Sequence, residues 1–81
     1  MERIVVINWV DSVRSFDWTL LEEIDTGFMD CESVGFLIKE TEDFVTIAQN
    51  YGLKPKQVCN LITIPKCSII SIKEYDCNNN E

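Results

Sequence analysis

Histidine is absent from the 81 residues of this chain. That excludes serine–histidine and cysteine–histidine nucleophilic catalysis and removes the commonest tunable general base. Positive charge is sparse as well: seven lysines and arginines stand against fourteen aspartates and glutamates, a net charge of −7. Such a balance opposes nucleic-acid binding, which rests on lysine and arginine neutralising phosphates. No C-x-x-C pair occurs among Cys31, Cys59, Cys67 and Cys77. A tetrahedral zinc site normally shows closely spaced ligand pairs, so the cysteines read as reduced structural thiols. The acids Glu22, Glu23, Asp25, Asp30 and Glu32 lack the alternating ligands and central glycine of a calcium loop and read as a solvated surface. No metal or cofactor is implied, and the chain reads as non-enzymatic.

Long apolar runs are missing too, and none approaches the ~20 residues of a membrane helix. The start, MERIVVINWVDSV, sets an acid beside its early base and shows no small-residue cleavage site, which predicts cytoplasmic residence without a signal peptide. What is present is 46% hydrophobic and 10% aromatic residues, the composition of a globular protein. One domain over residues 1–75 and a tail over 76–81, with three consecutive asparagines, account for the length. A domain this small buries only about 60–65% of its unfolded surface, so self-association into a homo-oligomer is expected. Charge is uneven: residues 1–32 carry a net −6 and residues 33–81 a net −1.

The β-branched run RIVVINWV at residues 3–10 predicts a central strand covered on both faces. Residues 11–17 follow as a polar loop. Thr19 and Glu22 match a capping box and Gly27 a left-handed stop, which predicts a short helix over residues 20–26. After a connector at 28–33, strands at 34–39 and 44–49 flank the acidic turn 40–43, with Gly35 marking a bend. Gly52, Lys54, Pro55 and Lys56 predict a basic loop over residues 50–57. Strands at 61–64 and 69–73 read as a second hairpin, whose register could set Cys59 opposite Cys67, around a corner at 65–68 where Pro65 lacks a ladder donor. Five short strands with short turns predict a mainly β fold, a small barrel with one short α-helix inserted after the first strand.

The segments GFLIKETEDFVTI from Gly35 and LITIPKCSIISI from Leu61 resemble the Sm-like fold. That resemblance implies a bent five-stranded SH3/Sm-like barrel in a family that forms rings and binds RNA. The chain departs from the family's pattern in lacking histidine and in placing the helix after the first strand. The longer pattern SVGFLIKETEDFVTIAQ, with Trp9-Val-Asp, Trp18-Thr-Leu-Leu-Glu-Glu and ITIPK, is similar to small proteins encoded by phages and prophages. This implies residence in a host cell's cytoplasm.

Recognition falls to the aromatic residues, because an indole or phenol ring can stack on a planar base and offer one hydrogen bond. Trp9, ending an apolar strand, reads as core; Trp18, beside Asp17 in a polar stretch, reads as either core or site. Tyr51 lies close in sequence to Lys54 and Lys56, a set suited to a planar ring and its phosphates. Trp18, Tyr51, Lys54 and Lys56 are therefore the candidate ligand-binding residues. The function they suggest is an oligomeric binding protein for a nucleotide-like small molecule or a host protein, which in a phage would serve counter-defence by sequestration. An Sm-like RNA-binding ring is the alternative.

Overall fold

The computed structural model describes residues 3–24 and 27–76. Five antiparallel strands build one sheet: β1 (Arg3–Asp11), β2 (Met29–Glu40), β3 (Phe44–Leu53), β4 (Lys56–Pro65) and β5 (Ile69–Asp76). Their order is β4-β3-β2-β1-β5. The mainly β class follows from the runs of valine, isoleucine, threonine and aromatic residues, which suit a pleated, half-buried surface. Among the described residues no helix is long and apolar enough to cross a membrane.

Alternation along the strands sets the core. Val5 and Ile7 of β1, Val45 and Ile47 of β3, and Ile64 of β4 are fully buried, and Trp9, Leu37 and Ile69 pack against them. The two-residue period puts Val5, Ile7 and Trp9 on one face of β1. Ile4, Val6 and Val10 on its other face are only half-buried. β1 is thus interior to the sheet, as its apolar run suggests, but sealed on one face alone.

β2 serves two neighbours in turn. It pairs with β1 from Met29 to Phe36 and with β3 from Phe36 to Glu40, so a β1–β2 ribbon and a β3–β4 ribbon diverge. Gly35 sits where they part. A Cβ there would stand 2.8 Å from the Ala48 carbonyl oxygen, closer than such atoms approach, so the absent side chain admits the β3 backbone. The register then slips between Leu37 and Lys39, a bulge that adds to the bend. The acidic turn into β3 is held by Thr41, whose Oγ1 accepts the N–H groups of Asp43 and Phe44, each at 3.1 Å.

The expected helix over residues 20–26 is absent. Only a single 3-10 turn forms, Leu21–Glu23, with no side-chain cap. The Thr19 hydroxyl instead donates to the Asp17 carbonyl at 3.3 Å. A capping box contributes about 1 kcal/mol, too little to nucleate a seven-residue helix without a packing surface. Leu20, Leu21 and Ile24 have no such surface and stay exposed. Asp25 and Thr26, within the expected helix, lie outside the described residues.

Residues 50–57 do not form a loop. β3 and β4 run through them as a ribbon closed by the two residues Lys54 and Pro55, whose peptide bond is cis. Residues 29–33, expected as a connector, belong to β2, because Asp11↔Met29 and Val10↔Asp30 extend its ladder with β1. The segments around Ile62 and Ile72 do not pair with each other. β4 lies on one sheet edge and β5 on the other, joined by a 3-10 turn, Lys66–Ser68.

The expected barrel is not closed: no hydrogen-bonded ladder joins β4 to β5. The sheet nevertheless curls. A flat sheet would hold its edges four strand spacings apart, about 19 Å, whereas the four steps from Pro65 to Ile69 span at most about 14 Å. Lys66 pins this corner, its N–H donating to the Asp43 carbonyl at 2.8 Å and its Nζ lying 2.8 Å from Glu40 Oε2.

Cys59 stands opposite Asn50 and not opposite Cys67; Cys31, Cys59 and Cys67 are free thiols. Of the tail expected over residues 76–81, Asp76 ends β5 opposite Arg3, and residues 77–81, Cys77 among them, lie outside the described residues.

Candidate functional site

The connector from β1 to β2 has little to hold it against the sheet. Val13, Phe16, Trp18, Leu20, Leu21, Ile24 and Phe28 are all exposed, and Trp18 is exposed over its entire surface at 103%. Within it the Glu23 N–H donates to the Leu20 carbonyl at 2.9 Å. The connector forms an open hollow of about 640 Å³, in which Phe16, Trp18 and Ile24 supply the apolar walls and Asp17 and Glu23 the charge. This answers the choice left open for Trp18: in the isolated chain it is not core.

Trp9 is the contrasting case. Its ring packs against the core and its Nε1 donates to Ser33 Oγ at 3.0 Å, joining β1 to β2 across the ladder. Trp9→Phe removes that bond and should lower stability by about 1 kcal/mol. Trp18→Ala should stay within about 0.5 kcal/mol of the parent, because a fully exposed ring contributes little to folding. Urea unfolding at high dilution, where association adds nothing, distinguishes them; a large loss in Trp18→Ala would return that residue to the core.

The other candidates gather on the β3–β4 ribbon. Tyr51 lies opposite Val58, and its ring meets Phe36 at a centroid distance of 5.7 Å and an angle of 59°. Tyr51 and Lys56 line one hollow of about 280 Å³ with Leu37 and Val58, while Lys54 stands at the turn beside it. Among the described residues neither Lys54 nor Lys56 has an ion-pair partner, in contrast to Lys66 on Glu40 and Arg3 on Glu74. Tyr51 and Lys56 thus share one hollow, while Lys54 lies at the turn and lines none of these hollows. Trp18 lies on the connector and lines a different hollow.

A further feature escaped the sequence. Where the ribbons diverge they leave a notch of about 550 Å³, with Glu32 and Ser33 on one side and Gln49 and Asn60 on the other. The β3–β4 ladder skips the Gln49–Asn60 pair; Asn60 takes a left-handed φ of 58° and its amide reaches Gln49 Oε1 at 3.4 Å. Asparagine tolerates that region better than most residues. Gly35 was the signal for this notch, since a bend that parts two ribbons necessarily opens a space between them.

Among the described residues no three histidine, cysteine, aspartate or glutamate side chains converge as a metal site. Compared with known protein families, with characterised proteins and with solved structures, the chain matches none.

Proposed function

We propose that this chain is a non-enzymatic, self-associating binding protein of the cytoplasm, encoded by a phage or other mobile element, that holds a nucleotide-like small molecule. The observation that carries the binding role is Trp18, fully exposed in a connector where six other large apolar side chains are also exposed. Surfaces of this kind on a small protein mark interaction sites. Tyr51 and Lys56, with Lys54 at the turn nearby in sequence, support the ligand class, because an aromatic ring and ammonium groups suit a base and its phosphates. A host protein meeting the same connector is the second binding reading, favoured by the same exposed apolar area.

An SH3/Sm-like relationship is supported by the strand order β4-β3-β2-β1-β5, by the bent β2 and by the 3-10 turn between β4 and β5, in an open form of that architecture. The RNA-binding alternative is weakened by charge: net −7, with Lys66 committed to Glu40.

Native mass spectrometry of protein taken directly from cell extract tests the reading. The expected spectrum shows an oligomer carrying an additional small mass that Lys54→Gln with Lys56→Gln removes. A bare chain under all conditions would refute ligand binding, and a retained RNA would move the assignment to the ring class.

A further inference from the structure

The connector and the β3–β4 ribbon are complementary in two respects, yet they line separate hollows within one chain. Residues 11–24 carry four acids, Asp11, Asp17, Glu22 and Glu23, against Arg14 alone, a net −3. Residues 44–65 contain no acid at all and carry Lys54 and Lys56, a net +2. Both are also apolar and open to solvent: Phe16, Trp18 and Leu21 on the connector, and Leu53 at 68% exposure on the ribbon.

The connector carries the apolar surface left to be covered: Phe16 is 87% exposed, Trp18 103% and Leu21 88%.

We infer that residues 11–24 form an arm that docks on the β3–β4 ribbon of a second copy of this chain, setting Trp18 beside Tyr51 and Lys56 across the subunit boundary. A second copy fits better than a foreign partner because one reciprocal contact about a two-fold axis covers both surfaces of each chain at once, arm on ribbon and ribbon under arm. The opposite charges flank the apolar contact and orient it. This rests on the self-association in the proposed function and deepens it by naming the two surfaces that meet. It differs from edge-strand pairing because neither β4 nor β5 is required to extend a ladder.

Sedimentation across a concentration series tests the inference with four variants. Phe16→Ala with Trp18→Ala removes the apolar contact, Glu22→Lys with Glu23→Lys reverses the arm, Lys54→Glu with Lys56→Glu reverses the ribbon, and the fourth chain carries both reversals. The first three should weaken association by roughly tenfold or more, with far-ultraviolet circular dichroism confirming an unchanged sheet. The doubly reversed chain should regain association, as should an equimolar mixture of the two singly reversed chains. If all variants associate like the parent, the arm is not the interface although self-association stands. If the first three fail to associate and the doubly reversed chain does not recover, arm and ribbon do not face each other. A parent chain that is monomeric at every concentration overturns both the docking and the self-association beneath it.

Discussion

Ile64→Ala should unfold a large fraction of the protein near physiological temperature. Ile64 is the one fully buried side chain that β4 contributes, and it stands opposite Val45 in a core of five such residues. Truncating a buried isoleucine costs about 2–5 kcal/mol through lost transfer energy and the cavity left behind. A domain of this length has a total stability of only about 4–12 kcal/mol. The loss should be amplified in effect because β4 is an edge strand, hydrogen-bonded on one side only. Ile62→Ala supplies the comparison, since that side chain is 37% exposed; it should cost less than about 1.5 kcal/mol in the same two-residue neighbourhood. Urea midpoints measure both. Equal losses at the two positions would mean that Ile62, which shares a face of β4 with Ile64, is seated in the core as firmly as Ile64.

Gly35→Ala should lower the melting temperature by roughly 10 °C or more, although alanine is the smallest change available. The added Cβ would meet the Ala48 carbonyl oxygen at 2.8 Å and Ile47 Cβ at 3.2 Å. These are backbone and core atoms, not the free end of a side chain, so relief requires β3 to move away from β2. Overpacking of this kind costs about 1–3 kcal/mol. Gly52→Ala should be far milder, because its nearest neighbour is the Gln57 Cγ at 3.2 Å, part of an exposed side chain that can swing aside. Differential scanning calorimetry of the two variants gives the comparison directly. A Gly35→Ala variant as stable as the parent would show that the ribbons do not approach closely at this point.

Several features were legible because short-range chemistry dictates them. The continuous β-branched run RIVVINWV identifies an interior strand, but it names both faces as covered, and the structure buries Val5 and Ile7 while leaving Ile4, Val6 and Val10 half-buried. A lone glycine inside a β-branched stretch signals a bend, which is where β2 changes partners. The turn at residues 40–43 was readable from its acids, and Thr41 completes it by accepting two backbone N–H groups. The closeness of Tyr51 and Lys56 was visible from the sequence, and the tight ribbon sets both in one hollow.

By itself, then, the sequence determined the β class, the bend, one hairpin, the interior place of β1, and the absence of histidine chemistry, whereas which face of β1 is buried came from the structure. Tertiary structure alone decided which edge each strand occupies and what becomes of the connector. Three residues between β4 and β5 look the same whether they reverse the chain or carry it across a curled sheet, and only the pairing of β5 with β1 selects the second. The helix signals around Thr19 and Glu22 are likewise local and weak. A helix of that length survives only where its apolar side is buried, and Leu20, Leu21 and Ile24 stay exposed. Trp18 was undecidable for the same reason: a tryptophan in a polar stretch is core or site according to what packs against it, and that contact is set by residues distant in the chain or by another molecule.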